Sequence, residues 1–301
     1  MFFVHVMKTG GTTLSRHLRS ILEPEALYPN PSVDLRFVGA RMDIRHHLSV
    51  SYLVGLDAER RAAIRVYTGH FPFAAVEMLG EPCTTMAILR DPVERTLSLL
   101  RQFRRPALAV QDPGRRPRLE AATLEEVYED PAVFEPLVRN HQTKIFSMRP
   151  ADGPESYLDV VEVDEDRLEL AKVNVRRIDI LGVTERYADF LDEVRRRLGW
   201  SVPPDARANV TPADDEEPAS EALRSRIAID NALDVALHQY AAELVEQRAH
   251  LVERHRFVAA ERHPLAPAHL RERVAEVLAE LVDLPAQVHV VEEGVGHLLE
   301  L

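Results

Sequence analysis

The first fourteen residues constrain the fold of this chain more than any other stretch. Phe2 to Val6 is a short apolar run of high β propensity, which predicts a buried strand. It leads into the turn Lys8 to Thr13 (Lys-Thr-Gly-Gly-Thr-Thr), and a helical pattern follows from Leu14 to about Leu22. A strand, a glycine-containing turn and a helix N-terminus together form an anion site, because the first amides of a helix lack partners and the helix dipole favours negative charge.

Each residue type in this turn has a use in binding a phosphate or sulfate group. Glycines let the backbone approach an anion and direct successive amides at it, threonines add hydroxyl donors, and lysine adds a positive charge. The alternative is an ordinary glycine turn without a ligand. The candidate anion-binding residues are Lys8, Thr9, Gly10, Gly11, Thr12 and Thr13.

The turn differs from the loop that binds nucleoside triphosphates. That loop reads Gly-x-x-x-x-Gly-Lys-Ser/Thr, with a Mg²⁺-binding hydroxyl after the lysine. Here Lys8 precedes the glycines, and no apolar strand ends in an aspartate that would serve as a magnesium ligand. The sequence therefore predicts an anion site without a metal.

Composition limits the remaining possibilities. A chain of 301 residues with 46% hydrophobic and 29% charged residues is long and apolar enough for one large α/β domain, or for one domain with a small appendage. The net charge of −12 argues against general nucleic-acid binding. Cys83 is the only cysteine, which excludes intrachain disulfides and a cysteine-based metal site. Lys8 stands out because lysine recurs only at positions 144 and 172.

No targeting or membrane segment is evident in the sequence. No apolar run approaches the ~18 residues of a membrane span, and no signal peptide precedes the first strand. We therefore expect a cytoplasmic protein without a membrane span.

A second candidate site residue follows the predicted strand Ala63 to Tyr67. This strand enters Thr-Gly-His, so His70 lies where an α/β sheet presents residues to ligands. The alternative is a core histidine that is hydrogen-bonded to the backbone.

The predicted strand Thr84 to Leu89 is followed by Arg90 and a helix start, with Asp91 as the N-cap and Glu94 completing a capping box. Ser98 lies on the same side of this helix as its entry, so Arg90 and Ser98 can converge on one anion. A guanidinium suits a terminal phosphate. The alternative for this segment is capping and surface ion pairing alone.

The alternation of short apolar strands and helices predicts an α/β fold with three layers (α/β/α), P-loop-like, around a mainly parallel central sheet. Further predictions are a strand at Ile178 to Val183 and one long helix from Leu223 to about Glu253. The arginine-rich segment 101–118 is either a solvated connection or a lid. We assign residues 1–256 to the main domain and residues 257–301 to a small helical and strand appendage of unknown role.

Taken together, these motifs resemble sulfotransferases that use 3′-phosphoadenosine 5′-phosphosulfate (PAPS), and in particular the carbohydrate branch of heparan sulfate 2-O type with its bacterial relatives. The resemblance covers roughly residues 2 to 245, with Met7 where such loops usually carry proline. The motifs that carry it, in chain order, are Phe3 to Leu14, Gly69-His70-Phe71, Ile88 to Ser98, Asn140 to Thr143, Leu181 to Tyr187 and Asn231 to Asp234.

The resemblance implies a role for each candidate residue. Lys8 to Thr13 would bind the 5′-phosphosulfate, Arg90 with Ser98 the 3′-phosphate, and His70 would be the general base. It implies PAPS as co-substrate, no metal, and a hydroxyl acceptor on a glycan, a lipid or a small molecule. Glu185 and the cluster Asn140, Gln142 and Thr143 are candidates for orienting either substrate. Two alternatives remain, a P-loop kinase or related phosphotransferase and a non-catalytic nucleotide-binding module; the oligomeric state stays unknown.

Overall fold

The computed structural model describes residues 1–30, 32–34, 37–38, 41–42, 45–104, 121–200 and 218–262. Its centre is a five-stranded, all-parallel sheet, which confirms the predicted α/β class. The strands stand in the order β2-β5-β1-β6-β7. Their bounds are β1 Phe2–Val4, β2 Leu27–Tyr28, β5 Val66–Tyr67, β6 Thr85–Leu89 and β7 Ile180–Val183; a separate antiparallel pair is formed by β3 Phe37–Val38 and β4 Arg41–Met42.

Helices flank this sheet and connect its strands. Short helical turns occupy Pro24–Ala26, Phe134–Val138, Pro150–Asp152 and Thr184–Arg186. The α-helices are α1 Gly11–Ile21, α2 Arg45–Leu48, α3 Val50–Val54, α4 Ala58–Ala63, α5 Ala74–Leu79, α6 Pro92–Phe103, α7 Leu124–Glu129, α8 Pro131–Val133, α9 His141–Ser147, α10 Glu165–Arg176, α11 Tyr187–Leu198, α12 Glu221–Asp230 and α13 Ala232–Arg262.

The apolar runs of the sequence become strands because both faces of the sheet are covered. β1 and β6 are buried along their whole length. One core cluster packs Phe3 and Ile88 of the sheet against Leu14 of α1 and Phe190 of α11. Burial of such side chains stabilises the fold by about 2 kcal/mol each. The predicted strand–turn–helix at the start of the chain is confirmed.

The topology of the sheet brings several chain turns to one edge. From β1 the chain passes through α1 to β2 on one side, whereas from β6 it leads to β7 on the other side. Loops that leave neighbouring strands in opposite directions open a crevice at the carboxyl ends of those strands. Lys8, His70, Arg90 and Thr184 follow β1, β5, β6 and β7 at this edge.

Two helices outside the sheet cap each other. The Asp234 carboxylate on α13 accepts hydrogen bonds from the amides of Gln142 (3.0 Å) and Thr143 (2.7 Å) in the first turn of α9. In return, the side chain of Asn140, which precedes α9, accepts from the amides of Leu233 and Asp234 (both 3.2 Å) in the first turn of α13. Each helix thus supplies the N-cap that the other lacks.

This reciprocal capping explains one difference from the sequence prediction. The predicted single helix from Leu223 to about Glu253 is wrong, because it divides into α12 and α13 at Asn231. The Asn231 side chain accepts from the amide of Asn140 (2.8 Å) and donates to the carbonyl of Ile227 (2.9 Å). The break leaves the first amides of α13 without intrahelical partners, and Asn140 binds two of them.

The capping box predicted for α6 forms only in part. Asp91 accepts from the Glu94 amide (2.9 Å), as expected of an N-cap. However, the Glu94 carboxylate pairs with Arg224 (2.6 Å), and the Asp91 amide donates to Glu185 (3.0 Å). The tertiary fold brings a better donor to Glu94 and a separate acceptor to Asp91.

The contacts divide the chain into two compact units, Met1–Ala242 and Glu243–Leu301. The boundary at 256/257 and the appendage stay predictions, since most of the predicted appendage lies outside the described residues. The same holds for the greater part of the arginine-rich segment. No helix within the described ranges is long and apolar enough to cross a membrane.

We predict that Asp234→Ala lowers the free energy of unfolding by about 3 kcal/mol, because three buried donors, the amides of Gln142 and Thr143 and the Thr143 hydroxyl, lose a charged acceptor. Urea titration measures the change. Asp189→Ala, which removes an exposed ion pair with Arg186, is the control and costs about 0.5 kcal/mol or less. Equal losses in the two variants would contradict the capping role.

Candidate active site

The opening turn has an unusual backbone. Lys8 and Gly10 lie in the left-handed region, with φ of 70° and 90°. That conformation is uncommon for a residue with a side chain and costs about 1 kcal/mol or more, so surrounding contacts must stabilise it at Lys8. At Gly10 the space is closed as well, since a Cβ would lie 3.0 Å from the ring of Tyr187.

Three side chains from other elements bind successive carbonyls of this turn. Arg90 Nη1 donates to the Lys8 carbonyl (3.2 Å), and the Tyr187 hydroxyl donates more weakly to the Gly10 carbonyl (3.4 Å). The Thr184 hydroxyl shares its one proton between the carbonyls of Leu89 (3.1 Å) and Thr9 (3.3 Å). Carbonyl oxygens repel an anion, so holding them against the protein leaves the amide side of the turn for a ligand.

The helix that follows the turn is open to an anion. No side chain caps α1 at Gly10, and its first turn holds no acidic residue. The Thr13 amide donates to the Gly10 carbonyl (3.0 Å). The Thr9 hydroxyl donates to the Val6 carbonyl (2.9 Å), so it stabilises the turn. The uncapped amides and the helix dipole therefore favour a negatively charged ligand here.

Arg90 is placed by contacts to its backbone. The Gln142 side chain accepts from the Arg90 amide (3.0 Å) and donates to the Arg90 carbonyl (2.8 Å), which continues the hydrogen-bonding pattern of β6 past its end. The guanidinium is then free to turn toward Lys8. The hydrogen bond from Arg90 Nη1 to the Lys8 carbonyl places Arg90, the residue predicted to bind the 3′-phosphate, directly beside the predicted anion turn.

Glu185 holds Asp91, the residue that follows Arg90. Its carboxylate accepts from the Asp91 amide (3.0 Å) and lies 3.1 Å from His238 Nε2. Burial alone would raise the pKa of Glu185, but the hydrogen bonds from His238 and from Asp91 outweigh it and lower the pKa to about 2. Glu185 is thus ionised at neutral pH, and it positions the backbone of Asp91 next to Arg90.

Ser98 is partly exposed on α6, two turns past its start. Within the described residues it makes no hydrogen bond to Arg90 or to the turn. Its convergence with Arg90 on one anion stays a prediction.

His70 has the geometry of a proton acceptor. Its Nδ1 lies 2.8 Å from the carbonyl oxygen of His5, and a carbonyl can only accept, so Nδ1 carries the proton. Nε2 therefore presents its lone pair, and no described residue donates to it. Burial lowers the pKa of His70 below 6.5, which keeps the ring neutral at neutral pH.

The sequence interpretation missed His5, which links the turn to His70. The His5 ring stacks on Phe3 (centroids 4.9 Å apart) and lies 4.2 Å from the ring of His70. On its other side it touches Gly11, where a Cβ would come within 2.2 Å of the imidazole. Burial, followed by the proximity of His70, lowers the pKa of His5 well below its ordinary value. The signal in the sequence that could have identified His5 is a histidine within the apolar run Phe2 to Val6.

The polar cluster 140–144 makes most of its hydrogen bonds within the protein. Asn140 and Thr143 belong to the reciprocal caps, and Gln142 clamps Arg90. His141 and Lys144 are each 1% exposed, so they too lie inside the protein. The cluster orients the site from behind, through main-chain contacts.

The chain is similar to two curated heparan-sulfate 6-O-sulfotransferases. It is 28% identical over 275 residues to heparan-sulfate 6-O-sulfotransferase 2 of Gallus gallus, covering 82% of this chain and 66% of that protein. It is also 28% identical over 274 residues to heparan-sulfate 6-O-sulfotransferase 1 of Homo sapiens, covering 82% of this chain and 65% of that protein. The chain is a distant relative of these proteins.

The similarity agrees with the sulfotransferase resemblance at the level of the family, and it does not single out the 2-O branch. The chain spans just under two thirds of the length of the curated relatives that it matches. No family model matches it.

We predict that Gly11→Ala destabilises the protein by about 2 kcal/mol, because the new methyl group overlaps the His5 ring. In the double variant with His5→Ala the overlap with the imidazole is removed and only the contact with Phe3 (2.9 Å) remains, so the two changes should be less than additive by about 1 kcal/mol. Chemical denaturation of the four proteins of the cycle measures this coupling.

Gly80→Ala is the matched control for that cycle. Gly80 has φ of 67°, but a Cβ added there would meet no atom within 4 Å, so only the backbone penalty of about 1 kcal/mol remains. Additive effects of the changes at residues 5 and 11 would show that the two positions do not press on each other.

Proposed function

We propose that this protein is a PAPS-dependent sulfotransferase that transfers a sulfuryl group to a hydroxyl of a glycan. One observation carries the proposal: Arg90 Nη1 donates to the Lys8 carbonyl over 3.2 Å, at the sheet edge where His70 also lies. The anion turn and Arg90, which we propose for the second phosphate, then lie within the span of one nucleotide that is phosphorylated at both ends. The similarity to curated sulfotransferases supports the same function.

In this proposal the turn binds the 5′-phosphosulfate and Arg90 with Ser98 binds the 3′-phosphate. In this proposal the Lys8 ammonium and the amides at the start of α1 bind the phosphosulfate, and the engagement of the turn's carbonyls with the protein supports this for the amides. The guanidinium of Arg90 pairs with the terminal phosphate, where its planar donors fit best. Catalysis then comes mainly from positioning and charge stabilisation, as in phosphoryl transfer.

The transfer step balances with the groups at the site. The acceptor oxygen attacks sulfur in line while the bond from sulfur to the bridging phosphate oxygen breaks. The acceptor proton passes to His70 Nε2, whose lone pair is left open by the bond from Nδ1 to the His5 carbonyl. Lys8 stabilises the negative charge that develops on the leaving 5′-phosphate of 3′,5′-adenosine bisphosphate.

The names of the two relatives support a glycan acceptor and, more finely, a 6-hydroxyl of a heparan-type sugar. The 2-O position expected from sequence motifs stays the alternative within glycans, and lipids or small metabolites stay alternatives outside them. The cytoplasmic location also stays a prediction.

The rival function is a kinase or related phosphotransferase, which requires Mg²⁺ and a nucleoside triphosphate. The missing Gly-Lys-Ser/Thr speaks against it. Over the described ranges no group of three or more His, Cys, Asp or Glu side chains is arranged to hold a metal ion. A non-catalytic nucleotide-binding module is the second rival, and turnover separates it from the enzyme.

We predict that 3′,5′-adenosine bisphosphate raises the melting temperature of the protein strongly and that Mg-ATP does not, because only the former carries phosphates for both the turn and Arg90. Arg90→Ala should lower the affinity for the bisphosphate by about 2 kcal/mol, or ~30-fold, in calorimetric titration. Its affinity for adenosine 5′-phosphate should fall less, because that ligand loses only the support that Arg90 gives to the opening turn. A preference for Mg-ATP would reject the sulfotransferase.

We predict that His70→Ala lowers kcat by about 10²- to 10⁴-fold with little effect on the affinity for adenosine bisphosphate, and that Lys8→Ala lowers it by about 10²- to 10³-fold. In the wild type, kcat should be constant above pH 7 and unaffected by EDTA. It should fall tenfold per pH unit only below the lowered pKa of His70, where the ring becomes protonated and cannot accept a proton.

Sulfate transfer from labelled PAPS is the assay for these variants. The control His17→Gln changes a histidine on α1 and should keep the wild-type rate and pH profile. Full activity of His70→Ala would refute its assignment as the base.

A further inference from the structure

An irregular segment forms part of the surroundings of His70. Residues 153–164, between the turn Pro150–Asp152 and α10, contain no helix or strand. The segment brings Tyr157 beside the candidate base, with the ring centroids of Tyr157 and His70 5.4 Å apart. The edge of His141 meets the same ring, with centroids 6.0 Å apart.

A buried lysine fixes this segment from behind. Lys144 Nζ donates to the carbonyls of Pro136 (2.7 Å), Tyr157 (2.8 Å) and Asp159 (2.8 Å). Burial lowers the pKa of Lys144 to about 7, which reflects the cost of an ammonium inside the protein. The three bonds use all of its protons and offset that cost, and they hold the backbone of residues 157 and 159 in one arrangement.

A second anchor holds the other end of the segment. The Glu155 carboxylate accepts hydrogen bonds from the hydroxyls of Ser49 and Ser51, and the Glu155 carbonyl accepts from the Val50 amide (2.8 Å). The Asp159 carboxylate in turn accepts from the amide of Glu155 (2.7 Å). Tyr157 therefore lies between two fixed points, and its ring is positioned without any regular secondary structure.

The hydroxyl group of Tyr157 is available to a ligand. Its side chain is largely buried, yet its hydroxyl makes no hydrogen bond to any described residue, and burial raises its pKa to about 12. It is consequently a protonated donor at neutral pH. Nearby, Nε2 of the buried His141 also lacks a partner among the described residues. Buried polar groups are normally hydrogen-bonded, so His141 Nε2 points to a missing partner at this place, and the Tyr157 hydroxyl, which is not fully buried, can be reached by a ligand.

We propose that Tyr157 is an acceptor-binding residue, whose hydroxyl hydrogen-bonds a sugar oxygen beside the hydroxyl that reacts at His70. Lys144 is the positioning residue that holds Tyr157 there. This inference rests on the proposed function and adds a residue for the acceptor side of the same site. Sites for sugars and similar ligands use a few precisely placed polar groups, and the Tyr157 hydroxyl is one such group.

The test compares Tyr157→Phe with the wild type in sulfate transfer from labelled PAPS to chemically desulfated heparan sulfate. Loss of one hydrogen bond should raise the KM for the polysaccharide by about 3- to 10-fold. The KM for PAPS and the affinity for adenosine bisphosphate should stay within about twofold of the wild type. Tyr157→Ala, which also removes the ring, should raise the polysaccharide KM further.

Two further variants separate binding from general destabilisation. Lys144→Met keeps the length of the side chain and should reproduce the higher polysaccharide KM. Tyr128→Phe removes a buried hydroxyl that bonds Asp230 (2.8 Å) and should leave every kinetic constant unchanged. If Lys144→Met does not fold, Tyr157→Phe alone decides the proposal, since it conserves shape.

The possible outcomes are distinct. No transfer by the wild type to this polysaccharide overturns the heparan-type acceptor of the proposed function, and the inference falls with it, whereas binding of adenosine bisphosphate still tests the sulfotransferase itself. Transfer by the wild type with an unchanged polysaccharide KM in Tyr157→Phe overturns the inference alone. A parallel loss of affinity for adenosine bisphosphate also overturns it, since Tyr157 would then act on the whole site.

Discussion

The hydrogen bond from Arg90 to the Lys8 carbonyl is the contact on which the site depends. It joins the ends of β1 and β6, two neighbouring parallel strands whose loops leave in opposite directions. Together with Thr184 and Tyr187 it holds the carbonyls of the opening turn against the protein. Lys8 tolerates a left-handed backbone because this contact is made, and the amides are then available to a ligand.

Arg90 itself depends on packing far from the strand ends. Asp234 and Asn140 cap each other's helices, and this fixes the start of α9. From that helix Gln142 clamps the backbone of Arg90 on both its amide and its carbonyl. A buried network of helix caps is thus coupled to an arginine at the sheet edge through one side chain. These buried polar side chains are hydrogen-bonded to one another or to the main chain, because a buried polar group without a partner would cost stability.

Burial keeps the two neighbouring histidines, His5 and His70, neutral. Desolvation is the largest influence on both His5 and His70, and it lowers the pKa of each. Two neighbouring imidazoles remain neutral, with the His5 carbonyl selecting the tautomer of His70. Beside His70, Lys144 holds an irregular segment through hydrogen bonds to main-chain carbonyls, much as Gln142 holds Arg90 through its amide and its carbonyl.

The sequence by itself determined the local elements and their order: the opening strand, turn and helix, the strand before Arg90, and the parallel α/β class, because apolar periodicity and turn residues act over short distances. Only the tertiary structure decided the break at Asn231, the pairing of Glu94 with Arg224, and the roles of His5 and Gln142. Each of these rests on a contact between residues distant in sequence, and a single chain carries no local signal for which distant donor will meet which acceptor. The sequence therefore predicts that Glu185 and the cluster Asn140, Gln142 and Thr143 orient the substrates, and only the tertiary structure shows their partners within the protein.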